Sequence, residues 1–423
     1  MGEVSARPVA VVIGAGIGGL AAAAGLCAAG WDVTVFERAA SLEPVGSGLG
    51  LAPNGLRALD VLGLGDEVRE HAIAQAMGMR RTDGRWLIRA SSARMVSDRF
   101  GDPIILLPRS ALINVLLTRI PDGVLELSTT VASVSSSGQV VTSAGELRAD
   151  LVIAADGVAS GVRAALWPGA PGLRYAGFTT WRLLVPGTGE TPAMAETWGR
   201  GAVFGVMPLA DGRVYCYAAA PAEPGERARG DGGELAELVR RFGRWHEPIP
   251  SLLASATPGD VLRHDVAELA RPLASFHQGR VALLGDAAHP MTPNLGQGAC
   301  QALEDAVVLA HLMSAAGGGP PPADFSRGAR GDCPPGASRA GSVEAALAAY
   351  SAARTERTRY VVQWSRRAGA MATWTSPVAV AFRDGLVTVM GKLNPGAALR
   401  GLDKIYDWQP PALQGLLVSR VYW

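Results

Sequence analysis

Residues 8–13, PVAVVI, form an uninterrupted apolar run of the kind that is buried on both faces of a parallel sheet. A cluster of glycines from Gly14 to Gly19 interrupts it, an alanine-rich segment ending near Gly30 reads as a helix, and WDVTVFE reads as a second strand ending at Glu37. Leu56, Leu59 and Leu62 then recur at helical spacing, and 108–120 (PRSALINVLLTRI) is helical again. From about 72 to 108 the pattern predicts short strands with polar interruptions. Between 124 and 153 strand-like runs alternate with turns at Ser137-Gly138 and Ala144-Gly145, and 149–166 reads as a buried strand followed by a helix. Residues 173–220 are strand-rich around the turn Asp211-Gly212, helical pattern returns at 233–243, and 343–372 is a long helix. The chain therefore reads as α/β, with α/β material bracketing an inserted β-rich domain.

Composition narrows the partners. A chain of 423 residues with 48% hydrophobic and 18% charged residues can bury more than one core. The net charge of +1 comes from 39 basic and 38 acidic residues interleaved along the chain, with no basic block to track a phosphate backbone, so nucleic acid is excluded as a partner. Cys27, Cys216, Cys300 and Cys333 stand far apart, which indicates neither a metal site nor a disulfide framework and suits a reduced, cytoplasmic protein. The charge-free run Val9 to Trp31 is long enough to cross a bilayer, yet its glycines cluster at one end and no basic region precedes a cleavage site. No membrane span is expected. Residues 314–342 are rich in Gly, Pro, Ser and Ala, lack apolar periodicity, and read as a flexible loop.

The glycines carry the first chemistry. Gly14, Gly16 and Gly19 follow a strand and open a helix, with Glu37 about 20 residues further on, the full context of a dinucleotide fingerprint. Gly14 permits the tight turn, Gly16 close approach of a pyrophosphate, and Gly19 close packing of helix on strand, while Ala15, Ile17 and Gly18 complete the loop at the helix N-terminus. Glu37 would accept hydrogen bonds from an adenosine ribose. A second motif, AADGVASGVR, contains Asp156, Gly157 and Arg163, and a third, GDAAHPMTPNLGQGA, runs from Gly285 to Ala299.

In that order and spacing the three motifs resemble those of the single-component FAD-dependent aromatic monooxygenases, the group similar to para-hydroxybenzoate hydroxylase, in the branch of salicylate hydroxylase, urate hydroxylase and zeaxanthin epoxidase. The resemblance implies a Rossmann-like FAD-binding domain with an inserted β-rich substrate domain and C-terminal helices. The implied division is 1–72, 109–172 and 271–313 for the FAD-binding domain, 73–108 and 173–270 for the substrate domain, 314–342 for the loop and 343–423 for a C-terminal helical region. It implies FAD, with NAD(P)H and O2 as co-substrates, and hydroxylation or epoxidation of an aromatic, polycyclic or isoprenoid molecule through a flavin C4a-hydroperoxide. A reductase or dehydrogenase of the same fold that inserts no oxygen is the alternative. For FAD, the resemblance assigns Asp286 to the ribityl chain and Gly296, Gln297, Gly298 and Ala299 to the ring, with Arg38, Gly48, Arg109, Val131 and Asp156 also in contact. His289 is expected to give structural support, and Pro293 to lie beside the reactive carbon of the flavin.

Substrate is expected on the face of the inserted sheet. Thr180, Trp181, Arg182, Phe204, Val206, Tyr215 and Tyr217 are the candidate lining together with Pro293, and alternation along each strand decides which of them point inward. Pro293 and Arg182 are the candidate catalytic residues. No ionisable side chain lies between Ala202 and Leu209, where some relatives carry a His, and Asn294 stands where urate hydroxylase-like proteins carry an acid. Both departures favour a hydrophobic aromatic or polycyclic substrate over a small phenolate or purine, handled by a monomer or homodimer.

Overall fold

The computed structural model describes residues 7–411 apart from 43–46, 76, 90–93, 188, 190, 229, 231, 317–338 and 394–399. Residues 317–338 of the Gly/Pro-rich run expected as a loop at 314–342 lie outside the described residues, and its two ends, 314–316 and 339–342, belong instead to the flanking helices.

The first apolar run becomes the strand Val9–Ile13 in a six-stranded sheet, flanked by Asp32–Phe36 and Leu151–Ala154, both parallel to it. Val281–Leu283 continues the sheet beyond 151–154, and Leu125–Glu126 lies beyond 32–36. Ala10, Val11 and Val12 are fully buried, which is why the strand carries no alternation. The helix Ile17–Ala28 packs on the helix Gly298–Ala316 so closely that a Cβ on Gly25 would come within 2.7 Å of Ala310 Cβ. Small residues are the condition for that approach. The charge-free stretch is thus explained by burial, and among the described residues no helix is long and apolar enough to cross a membrane.

The chain leaves the central strand in opposite directions across the sheet, so a crevice opens at its C-terminal end, where open α/β sheets take ligands. Gly14, Glu37, Asp156 and Asp286 each follow the C-terminal end of one of four neighbouring strands. Residues distant in sequence are brought together there.

A second sheet has seven strands, ordered Leu262–Leu269, Leu173–Pro186, Arg213–Ala220, Val203–Pro208, Ala195–Trp198, Gly78–Arg81 and Trp86–Ile88. Of the stretch 73–108, only 78–81 and 86–88 join it. Ile105–Pro108 pairs instead with Gly48–Leu51 on one side and Ile73–Ala74 on the other, and Arg94–Phe100 is a helix where short strands were expected. RMVSDRF lacks the period-two alternation that would hold it in a sheet. One face of the seven-stranded sheet packs on the helices Gly233–Phe242 and Ile249–Ala254. The other face turns toward the crevice, where a Cβ on Gly48 would strike the Tyr215 ring at 2.6 Å. The long helix Arg339–Ala372 packs on 298–316, and Pro377–Leu393 lies against 86–88.

Candidate active site

The glycine loop is built as its stereochemistry requires. Gly14 has φ +100°, and a Cβ there would lie 2.6 Å from the Ala155 carbonyl oxygen. One on Gly19 would lie 1.9 Å from the Gly14 carbonyl oxygen. Gly16 differs: an added Cβ would meet nothing within 4 Å, so its backbone is bare toward the crevice. No side chain caps the 17–28 helix and no acid occupies its first turn, which leaves its positive end for an anion. Glu37 holds the loop in place by accepting from the Ala15 and Ala39 amides, each at 2.9 Å, and each oxygen keeps a free lone-pair direction. Arg38 beside it is exposed. Val131 is brought to the same corner because the Thr129 amide donates to the Glu37 carbonyl at 2.9 Å.

Across the crevice, Asp156 accepts from the Val162 amide through Oδ2, while its buried Oδ1 has no protein partner. Arg163 is buried and ties the second motif to the third, donating to the carbonyls of Val158 at 2.6 Å and Ala287 at 2.7 Å. Asp286 is reached by solvent although protein surrounds it, as on the wall of a deep cleft. Burial raises its carboxyl above the ordinary range against the pull of His289, Arg109, Arg182 and Arg163. Arg109 is placed similarly, and burial lowers its guanidinium with the like charge of Arg182 adding to the effect. Arg109, Arg182 and Asp286 therefore share one corner.

The third motif is held from behind by buried charge. Asp305 accepts from the Gly285 amide at 2.9 Å, from His289 Nε2 at 2.6 Å and from Arg354 Nε at 2.6 Å. Glu304 accepts from Arg354 and Arg357, from Asn54 at 2.7 Å and from Gln301 at 2.9 Å. Burial pushes both carboxyls up, but His289 and Arg354 around Asp305, and Arg354 and Arg357 around Glu304, outweigh it and hold both below the ordinary range. Sequence reasoning missed this network, because Glu304, Asp305 and Arg354 read as solvated charges on helices. Thr292 is fastened to Ser365 of the long helix, which leaves Pro293 exposed at the tip of a short 3-10 turn. Gly296 has φ +61°, and neither it nor Gly298 would bring a Cβ within 4 Å of anything, while Ala299 is half-buried. Gln297 accepts from Asn54, and its buried Nε2 has no protein partner. The bare backbone at three glycines, the uncapped helix start and two unpaired buried polar atoms fit a flavin dinucleotide laid along the crevice.

The register of the seven-stranded sheet decides the substrate lining, and it corrects three expectations. Trp181, Phe204 and Val206 lie opposite Ala218 and Cys216 on the face that packs against the 233–242 and 249–254 helices. Phe204 is fully buried with its ring 5.3 Å from that of Phe242, and Trp181 Nε1 donates to Glu234 at 2.7 Å. They are sheet core, pointing away from the crevice. Arg182, Leu184, Met207, Tyr215 and Tyr217 occupy the crevice face, with Thr180 and His264 further along it. Met194, Met207, Leu106 and Tyr215 form a separate apolar cluster there, packed against Leu184, Met77 and Tyr217. That face also carries Glu196, which accepts from Tyr217 Oη and from Trp198 Nε1, the latter at 2.9 Å. Burial pushes both the Glu196 carboxyl and the Tyr217 hydroxyl above their ordinary values.

Comparisons with known proteins agree with this geometry. A family profile described as an FAD binding domain matches residues 7–322. Aurachin C monooxygenase/isomerase of Stigmatella aurantiaca is 35% identical over 403 residues, 92% of this chain and 96% of that protein. The 2-heptyl-3-hydroxy-4(1H)-quinolone synthase of Pseudomonas aeruginosa is 33% identical over 402 residues, 93% of this chain and 96% of that protein. The crystal structure of Klebsiella pneumoniae HpxO complexed with FAD and uric acid superposes with a TM-score of 0.81 at 26% identity, covering 97% of this chain and 100% of that one.

Proposed function

The chain belongs to the FAD-dependent monooxygenases of aromatic compounds, and from that premise we propose that its substrate is a fused nitrogen heteroaromatic with an apolar tail, of the alkyl-quinolone type. One observation carries the reading. On the crevice face of the seven-stranded sheet the partly open Leu184 and Tyr217 stand on an apolar layer of buried Met194, Met207 and Tyr215, with one cation, Arg182, opposite Tyr217. A small polyanion would leave the open parts of Leu184 and Tyr217 wet. A fused ring with an alkyl tail would cover them, at about 25 cal/mol for each Å² of apolar surface removed from water. The quinolone synthase, a relative whose name states its product, supports the same class.

When bound, FAD takes electrons from NAD(P)H and supplies one atom of O2 to the substrate. The chain's own residues do the rest. In this reading Gly14–Gly19, Glu37, Arg38 and Val131 hold the adenosine and pyrophosphate half. Asp156, Arg109, Gly48 and Asp286 hold the middle of the cofactor, and Gly296–Ala299 present amides to the ring, where the 298–316 helix favours negative charge. Pro293 and Arg182 stand where flavin and substrate meet, Arg182 orienting the substrate's polar end. Residues 1–72, 109–172 and 271–313 act as the cofactor domain and 173–270 with 78–88 as the substrate domain, in a cytoplasmic monomer or homodimer. The test is NAD(P)H consumption with ¹⁸O2 tracing, comparing a 2-alkyl-4(1H)-quinolone with salicylate. Label should enter the quinolone with at least tenfold greater catalytic efficiency. Equal or better labelling of salicylate overturns the substrate class.

A further inference from the structure

Glu196 and Tyr217 lie on different strands with a third between them. Tyr217 belongs to 213–220 and Glu196 to 195–198, and the intervening strand 203–208 places Gly205 directly between the two, in register with both. A Cβ on Gly205 would lie 2.2 Å from Tyr217 Cε1 and 2.3 Å from its Cζ. The tyrosine ring therefore lies flat across the glycine, and only that glycine lets its hydroxyl reach the carboxylate. Tyr217 Oη donates to Glu196 Oε1 while Trp198 Nε1 donates to Oε2 at 2.9 Å, so each carboxylate oxygen is held by one donor. Arg182 stands opposite Tyr217 across the neighbouring strand, and the rest of the surroundings are apolar, with Met194, Met207, Leu184 and Met77 close by and the Tyr215 ring 5.9 Å from that of Tyr217. Tyr217 and Glu196 are mostly buried but each keeps some solvent exposure, unlike the fully buried core residues of the opposite face.

A hydroxyl whose proton is held by a carboxylate presents only lone pairs to anything else. We propose that Tyr217 recognises the substrate by accepting a hydrogen bond from a ring N–H or O–H, and that Glu196, reaching it across Gly205, is the positioning residue that fixes the direction of that bond. This rests on the substrate reading above only in placing the substrate on this face. It adds a selectivity rule: the preferred ligand carries a donor at one ring edge, and the same ligand methylated at that donor is rejected, because the lone pair then faces a methyl group. It also replaces what 202–209 lacks. The acid sits one strand further out.

The direction of the bond is testable because glutamine inverts it. In Glu196→Gln, Trp198 still requires the amide oxygen, which turns the amide nitrogen toward Tyr217. The amide then donates to Tyr217 Oη, and the hydroxyl proton points to the substrate. Dissociation constants are measured on the FAD-loaded protein from the change in flavin absorbance, without turnover. Two matched pairs serve as probes: 2-heptyl-4(1H)-quinolone with its N-methyl derivative, and 1-naphthol with 1-methoxynaphthalene. Wild type should bind the donor-bearing member of a pair about tenfold more tightly, Tyr217→Phe should bind both alike, and E196Q should lose the preference for the donor-bearing quinolone, whose ring nitrogen cannot accept the proton that Tyr217 then presents. A structural role alone would weaken both members equally. Wild type binding each pair within twofold, or Y217F keeping the preference, overturns the proposal. Tight quinolone binding without discrimination overturns it while leaving the substrate class standing. Discrimination within the naphthol pair alone, with neither quinolone bound, upholds the proposal and removes the quinolone class, and binding of none of the four overturns both.

Discussion

Arg354 is the group on which the buried wall behind the third motif depends, and replacing it by Met gives the sharpest test of that wall. The guanidinium is 1% exposed and donates to Asp305 and Glu304, each at 2.6 Å, and to Gln301 Oε1 at 2.9 Å. Met fills much of the same volume but leaves Asp305 with only His289 as a cation partner, whereas Glu304 keeps Arg357 at 2.7 Å. Removing one partner from a buried ion pair costs about 3–5 kcal/mol, because the remaining charge stays desolvated. With an unfolding entropy of about 2.1 cal/mol/K per residue over the 423 residues, that corresponds to a fall in Tm of about 3–6 °C. The pH dependence has a definite sign. In the wild type both carboxyls are held below their ordinary range, so their contribution is present above the unfolded carboxylate pKa and is lost as pH falls through the lower folded values. Without Arg354 burial dominates and the folded values rise. The deficit of the variant should therefore be greatest near pH 7 and shrink on acidification toward pH 4. Calorimetry of the flavin-free protein at several pH values measures it, and flavin retention should fall in parallel, since Asp305 also holds the Gly285 amide and His289. A Tm within about 1 °C of wild type at pH 7, or a deficit that grows on acidification, would refute the reasoning.

Two alanine substitutions in the glycine loop should separate cofactor binding from folding. Gly16→Ala meets no protein atom within 4 Å and should leave the flavin-free Tm unchanged while weakening FAD binding, whereas Gly19→Ala, 1.9 Å from the Gly14 carbonyl, should lower both; fluorescence titration with FAD and thermal melts distinguish them. Phe204→Ala should destabilise by about 3–5 kcal/mol in urea unfolding with substrate KM unchanged, because the ring is packed on Phe242 away from the crevice; a raised KM at unchanged stability would place it in the site after all. Gly48→Ala drives a Cβ to 2.6 Å from the Tyr215 ring and should raise substrate KM at least as much as it affects flavin content.

The parts of this protein that were legible in its sequence are those where a single residue's stereochemistry decides the outcome. Gly14 and Gly19 had to be glycines for reasons visible in any strand–turn–helix unit, and the unbroken apolar run before them could only be an interior parallel strand. The face of the substrate sheet was not legible, because alternation divides a strand into two sets without saying which set faces the cofactor. On 203–208 even that division is silent, since every residue from Val203 to Pro208 is buried. Trp181 and Arg182 are adjacent, so placing both in the lining had to put one on the wrong side, and the arginine is the one that faces Asp286. Glu196 was passed over because a lone acid in a short AETW strand reads as solvated edge. Its role depends on what lies across the sheet, where Gly205 interrupts an otherwise bulky strand, VFGVMP. A glycine inside a strand weakens it and is retained where another group must come close. The group that comes close here is an aromatic ring from the next strand, so the mid-strand glycine is the local mark, carried by the sequence itself, of a side chain crossing over to a partner two strands away.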